Sequence, residues 1–517
     1  MARLHEHQGK ALLKKWGIRI PEGALARSPG EAREIAERLG GPSVIKAQAW
    51  ITGRAELGAI RFAQNPEQAE RYAAEILGME ISGVAVDSVL VEERLEIADE
   101  FYAGFIIDDI EQAPVMIFSR MGGTGIEGIA REHPDAVARM PVSVRAGLAD
   151  YEARDLIRRT GVHGKLQMRL GNALTKLYSL ARTYDARAAE MNPLVLTGQG
   201  EIVAADCRIT VDDYGVYRHP DLGIEIAREF DRPPTELEKI AWNVESEDYR
   251  GTFYFIQLEK DFSKGDGVIG FHGAGGGGSM MSMDAILNRG YRLADFVDTS
   301  GNPPASKVYR AARIILSQPG LDGYFASGSG VASQEQFHSA RGLVKAFMEA
   351  PLIAPAVIRL GGNAEQRAIA ILERAQPEIP APVEAYGKDD APDFCAARLD
   401  ALISDYVPPE NDPPGLERDP AQRPYAFETV TGGEVILDHA RCLECETKIC
   451  VETCVPQILS LEEGVPVLNI TREQAKRGGC RECLACEIEC YFEGNKGGRV
   501  RLPIEGLDEY RARQMSD

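Results

Sequence analysis

Glu190-Met191-Asn192-Pro193-Leu194 is the stretch on which the reading of this chain turns. It precedes a β-hairpin whose returning strand, Glu201-Ile202-Val203-Ala204-Ala205, ends at Asp206. The hairpin brings an amide oxygen and a carboxylate together. Hard oxygen ligands of that kind suit Mg²⁺, which keeps positions open for phosphates. Upstream, Val44-Ile45-Lys46-Ala47-Gln48 ends a strand with a lysine able to reach a triphosphate. Taken singly, Asp206 reads equally as a strand-end cap and Lys46 as a solvated side chain; their order and spacing carry the nucleotide reading. No G-x-x-x-x-G-K-[ST] loop is present, so the chain is not a P-loop enzyme.

Around these stretches, helical segments alternate with short β-rich runs. Residues 4–16 predict an opening helix; Ser88–Glu92, Phe101–Ile107 and Pro114–Phe118 predict strands. Such alternation argues a mixed α/β architecture. A second α/β block begins near residue 248, with strands at Gly267–Phe271 and Leu352–Leu360 and a weaker one at Leu293–Asp298. Its order of strand, Gly-rich turn and helix fits a doubly wound parallel sheet. Pro408-Pro409-Glu410-Asn411-Asp412-Pro413-Pro414 cannot continue a helix or a central strand. The expected parts are 1–238, 239–385, a Pro-rich linker over 386–425, and a tail over 426–517.

That tail holds eight of the ten cysteines. Cys442, Cys445, Cys450 and Cys454 are spaced C-x2-C-x4-C-x3-C; Cys480, Cys483, Cys486 and Cys490 are spaced C-x2-C-x2-C-x3-C. Structural zinc usually takes two separated pairs. Three close thiolates and a fourth after three more residues is the iron–sulfur run of bacterial two-cluster ferredoxins, whose fourth cysteine ligates the other cluster. The tail resembles that family and predicts an α+β module with two 4Fe-4S clusters. One is assigned to Cys442, Cys445, Cys450 and Cys490, the other to Cys480, Cys483, Cys486 and Cys454. The first run has two extra residues, and Tyr491 stands where a proline is usual. A pair of zinc sites, or clusters without a redox role, are the alternatives.

A formal charge of −21 disfavours nucleic acid as a partner. No apolar run is long enough to span a bilayer, and the first residues lack a secretory signal, so a cytoplasmic setting without membrane insertion is the default.

Residues 4 to about 385 resemble the beta subunit of succinyl-CoA synthetase, an ATP-grasp protein. The likeness rests on Leu4-His5-Glu6-His7-Gln8-Gly9-Lys10, Val44-Ile45-Lys46, Val91-Glu92, Glu190 to Val195, and Arg218-His219-Pro220-Asp221-Leu222. It implies an ATP-grasp domain followed by a flavodoxin-like CoA-ligase domain. Lys46, Gly53 and Arg54 would then meet the phosphates, Glu92 the adenosine, and Glu100 the grasp site. Asn192 and Asp206 would hold Mg²⁺, and Glu190 would position the histidine phosphorylated in such enzymes. In the glycine-rich basic loop, Ala55 replaces a glycine and Glu56 a lysine, and negative charge there should weaken ATP binding or redirect nucleotide preference.

Two turns of the second block match family turns near the acid substrate. His272-Gly273 opens the first, with His272 in place of an asparagine, and Gly328-Ser329-Gly330 forms the second, with a helix N-terminus expected to help hold phosphate or carboxylate. These changes put succinate in doubt as the acid, but not the reaction class. None of the eight histidines has the Gly-His-Ala-Gly-Ala context of the phosphorylated residue. The resemblance therefore implies an alpha-type partner carrying the phosphohistidine and the CoA site, a small carboxylic acid substrate, and a redox partner for the tail. The competing expectation is an iron–sulfur subunit of a reductase complex with a regulatory or vestigial grasp domain.

Overall fold

The computed structural model describes residues 2–49, 54, 57–81, 84–123, 126–224, 232–250, 252–328, 330–409, 413–416 and 418–514. The chain divides into two compact units, Met1–Pro234 and Thr235–Asp517.

In the first unit an antiparallel sheet runs in the order Ala2–Arg3, Cys207–Val211, Ala186–Thr197, Ile97–Asp108, Ala113–Ser119, Val137–Pro141. Helix Gly164–Thr183 buries Leu170, Leu174, Leu177 and Ala181 in the core shared with this sheet, a 3.6-residue stripe on one face. A four-stranded antiparallel sheet, Gly23–Ala26, Val89–Glu93, Ser43–Ala47 and Ile60–Ala63, carries helices Pro29–Leu39 and Pro66–Leu77. Both helices start alike: Ser28 and Asn65 accept the N–H groups of Glu31 and Gln68, and proline sits in the first turn, where its missing N–H has no cost. The predicted opening helix spans Glu6–Lys15 and buries Leu12 and Leu13.

The second unit is built on a sheet ordered Tyr254–Gln257, Asp295–Asp298, Val268–Ala274, Gly323–Gly328, Ala356–Arg359, Val383–Tyr386. The first strand is antiparallel and the other five are parallel. Numbered along the chain, the parallel strands lie 2-1-3-4-5, the flavodoxin-like order. The order reverses between Val268–Ala274 and Gly323–Gly328, where Ala274 lies opposite Gly328. Ligands of such sheets bind beyond the carboxyl ends of the strands at this point. The run Leu352–Leu360 forms a strand only over Ala356–Arg359.

Before its prolines, the 386–425 stretch holds helix Pro392–Asp405, which packs Cys395, Ala396 and Leu399 against Ile269, Phe271 and Phe325 of the sheet. The cysteine-rich tail follows as a three-stranded antiparallel sheet, Pro424–Glu428, Glu434–Asp438 and Gly498–Arg501, with a hairpin, Leu459–Glu462 and Val465–Leu468, and helix Ala485–Glu493. Its Phe427, Leu437, Leu484 and Ile488 belong to the same core as Tyr324, Leu343 and Phe347 of the parallel sheet and its helices. Charged pairs cross this packing too. Arg341 meets Glu489 at 2.7 Å, Lys345 meets Glu487 at 2.8 Å, and Arg310 donates to Thr431, with Glu482 at 3.9 Å. All six charged side chains are at most 5% exposed, so each depends on its partner to offset desolvation.

Candidate functional site

The strand Ser43–Ala47 and the opening helix bring six charges together in the first unit. Lys46 donates to Glu6 at 2.8 Å and to the Ala205 carbonyl at 2.7 Å, and lies 3.0 Å from Glu92. Lys10 sits 2.6 Å from both oxygens of Glu92 and 2.9 Å from Glu6. Arg54 bridges Glu6 at 2.8 Å and Asp206 at 2.9 Å. Three cations thus balance three carboxylates. Burial alone would raise the Glu6 pKa, but Lys10, Lys46 and Arg54 together hold it well below the usual carboxylate range. Burial works against the Lys46 ammonium, but Glu6 and Glu92 outweigh it and raise its pKa. Asp206 goes the other way, pushed up to about 6 by its burial and then by the Glu6 carboxylate.

Asn192 donates its backbone N–H to the Asp206 carbonyl at 3.1 Å, so the hairpin does bring the two residues together. Their side chains have other partners here: the Asn192 amide bonds the backbone of Gly123, and Asp206 takes Arg54 and the N–H of Cys207. The amide and carboxylate oxygens are a donor set suited to Mg²⁺ once Arg54 withdraws. Glu190 accepts from the Tyr102 hydroxyl at 3.1 Å, and Glu100 lies opposite Val195 on the neighbouring strand. Glu92, expected at an adenosine, is buried here and paired with Lys10 and Lys46. Gly53, Ala55 and Glu56 lie outside the described residues. Glu6 and Lys10 are the site residues that reasoning from function missed. Both lie in the Leu4–Lys10 stretch that carries the family likeness, and they form a Glu–Lys pair four apart on the opening helix.

In the second unit, Gly273 and Gly328 occupy the carboxyl ends of the two strands at the switch point. A Cβ on Gly273 would fall 2.7 Å from the Val297 carbonyl oxygen, so only glycine fits. Gly275 takes φ 97°, and its N–H donates to Asp298 at 3.1 Å before helix Gly276–Leu287 begins. A glycine turn feeding a helix N-terminus favours an anion there. His272 is buried, 2.7 Å from the Tyr324 hydroxyl and 3.3 Å from Thr299; burial pushes its pKa down to about 3. Its side chain packs against Tyr324 of the neighbouring strand and Thr299. The second turn differs from expectation, because the next helix starts only at Phe337. No helix N-terminus follows Gly330 directly, and Arg359 bonds the Gly328 carbonyl instead. Ser329 lies outside the described residues.

The eight tail cysteines are all free thiols. Burial, then the Cys490 and Cys445 thiols, pushes Cys442 up to about 12, and Cys450 rises likewise under burial, Cys490, Cys442 and Cys445. Cys486 is raised by burial and by Cys483, Cys480 and Cys454, with Cys450 a weaker neighbour. The thiols thus gather as Cys442, Cys445, Cys450, Cys490 and as Cys454, Cys480, Cys483, Cys486. The second group lines a pocket closed by Phe427, Ile458, Leu484 and Val500. Among the described residues, no three such side chains close on a single ion.

Residues 3–196 match the ATP-grasp domain family. The chain is 38% identical over 370 residues to the beta subunit of a GDP-forming succinate–CoA ligase of Thermus thermophilus, covering 72% of this chain and 93% of that protein. An ADP-forming beta subunit of Ignicoccus hospitalis is 36% identical over 375 residues, covering 72% and 94%. Among solved structures, ATP citrate lyase from Methanothrix soehngenii shares the fold at a TM-score of 0.63 and 19% identity, covering 77% of this chain and 99% of that one. With nearly the whole length of these curated relatives matched, the chain belongs to the succinate–CoA ligase beta-subunit family and is a ligase.

Proposed function

We propose that the chain is the nucleotide-binding subunit of an ATP-dependent acid–CoA ligase, converting acid, CoA and ATP to acyl-CoA, ADP and phosphate. An alpha-type partner would supply CoA binding and the phosphorylated histidine. The meeting of Lys46, Arg54 and Asp206 beside Asn192 carries this reading. Mg²⁺ held by Asp206 and Asn192 would neutralise phosphate charge. Lys46, kept protonated by Glu6 and Glu92, would hold the triphosphate in line, and positioning with charge stabilisation is most of what phosphoryl transfer asks of a protein. Arg54 would leave Asp206 for the phosphates. In the second unit, the Gly273–Gly275 turn would receive the acid or the acyl phosphate.

The tail would carry two 4Fe-4S clusters as an electron-transfer module. The crossed grouping of the thiols and the apolar closure around Cys454 and Cys480 support it. By domain, the proposal is a grasp domain over 1–238, a CoA-ligase domain over 239–385, a Pro-rich connection over 386–425 and the cluster module over 426–517, in the cytoplasm.

A second reading, an electron-transfer subunit with a vestigial grasp domain, draws on the Arg54–Asp206 bond, which leaves the site self-neutralised. The two separate in one experiment. With an alpha-type subunit present, ADP formation should depend on both acid and CoA, and Asp206→Ala should lower it by orders of magnitude. No acid- and CoA-dependent ADP formation by the wild type would decide for the second reading, and unchanged formation in the variant would remove Asp206 from the metal site.

A further inference from the structure

The two thiol groups differ in their surroundings. Each group has one part-exposed member, Cys445 and Cys486, but only the Cys454 group lines the pocket closed by the core of the unit. A cavity of about 610 Å³ lies on the outer face of the three-stranded sheet. Arg441, next to Cys442, and Tyr491, next to Cys490, line this cavity. So does Gly497, whose neighbour Gly498 donates its N–H to the Cys490 thiol at 3.3 Å. The cavity wall is therefore a single peptide away from a cluster ligand.

The wall is rich in cations within an acidic chain. Arg418 is paired with Glu487, Arg441 with Asp419 and Arg501 with Glu434. Lys496 stands 4.3 Å over the Tyr491 ring, and neither it nor Arg499 has a carboxylate partner among the described residues. Unpaired cations around a cavity that also presents Leu416, Ala426 and Ile436 have the make-up of a protein interface, with an apolar contact and a charged rim that steers the approach. A small enclosed anion would need converging donors, but Arg418 and Arg441 are already committed.

We propose that this face, from Arg441 to Arg499, is the docking surface for an acidic electron-transfer protein, which exchanges single electrons with the Cys442 cluster. The proposal rests on the two-cluster reading. One electron passes from the reduced partner to that cluster, oxidising the partner and reducing the cluster, with no bond made or broken.

The test uses the full chain, anaerobically reconstituted, with iron counted first; absence of iron overturns the two-cluster reading itself. Cluster bleaching is then followed by stopped flow after mixing with a reduced flavodoxin of net negative charge, and separately with photoreduced deazariboflavin, an uncharged reductant. In the iron-replete double variant Lys496→Glu/Arg499→Glu, the flavodoxin rate constant should fall about tenfold or more, and the wild-type rate should fall with added salt. The deazariboflavin rate should not move. A flavodoxin rate unaffected by the double reversal overturns the surface, as does an equal fall with both reductants, which would mark damage to the cluster rather than lost docking.

Discussion

Arg54 holds both oxygens of Asp206 through one guanidinium nitrogen, at 2.9 and 3.1 Å. The bond occupies the carboxylate proposed for the metal, so Arg54 and a divalent cation compete for it. Arg54→Ala leaves the cluster of Glu6, Lys10, Lys46, Glu92 and Asp206 with one negative charge in excess. Binding of Mn²⁺ to the nucleotide-free chain, read by electron paramagnetic resonance, should tighten about tenfold, as for the loss of ~1.4 kcal/mol of competition. Binding of Mg²⁺–ATP should weaken in the same variant, because the phosphates lose a cation. Mn²⁺ affinity equal to wild type would show that Arg54 does not mask the site.

The metal site should also be pH-sensitive in a range where an ordinary aspartate is not. Only the ionised Asp206 can ligate, and burial with the nearby Glu6 raises its pKa to about 6. Metal-dependent nucleotide binding should therefore be full above about pH 7 and fall as pH drops through about 6, whereas an unshifted aspartate would keep it to near pH 4. Calorimetric titrations between about pH 5 and 8 measure this midpoint. Glu6→Gln removes the repelling carboxylate and should move the midpoint down; a midpoint already near 4 in wild type would count against the shift.

Much of the fold was legible because its signals are local. Asn192-Pro193 before a hairpin, and a glycine turn between an apolar run and a helix, each announce backbone geometry within a few residues. The partners of Lys46 were not legible, since Glu6, Glu92 and Asp206 reach it from three separate segments. Nor was the fate of His272, whose burial against Tyr324 and Thr299 depends on two other strands and loops. The cysteine spacing showed a module but not how it packs. Arg341 and Glu489 are 148 residues apart, and no periodicity in either segment points to the other.

That pair carries its own prediction. Glu489 is the only carboxylate bonded to Arg341 among the described residues, and Arg341 has no exposed surface. Glu489→Ala would leave a guanidinium buried and unpaired, at a cost of about 3–5 kcal/mol to the second unit. Adding Arg341→Leu should recover most of that loss, because an apolar side chain has no charge to desolvate. Anaerobic denaturant titrations of the single and double variants measure the coupling. If the two losses simply add, the pair is not interacting.

The crossing of the two cysteine runs gives the sharpest test of the tail. Cys490 follows Cys486 by four residues, yet it gathers with Cys442, Cys445 and Cys450; Cys454 in turn gathers with Cys480, Cys483 and Cys486. Anaerobically reconstituted wild type should hold about eight iron atoms, as two four-iron clusters. Cys442→Ala and Cys490→Ala should each remove the same half of that iron, and leave the same resonance spectrum for the surviving cluster. Cys454→Ala and Cys480→Ala should remove the other half and leave a different, mutually identical spectrum. Sequential ligation would pair Cys490 with Cys480 and Cys454 with Cys442. A Cys490→Ala spectrum matching that of Cys480→Ala would therefore mean that each run holds its own cluster, and the crossed assignment would fall.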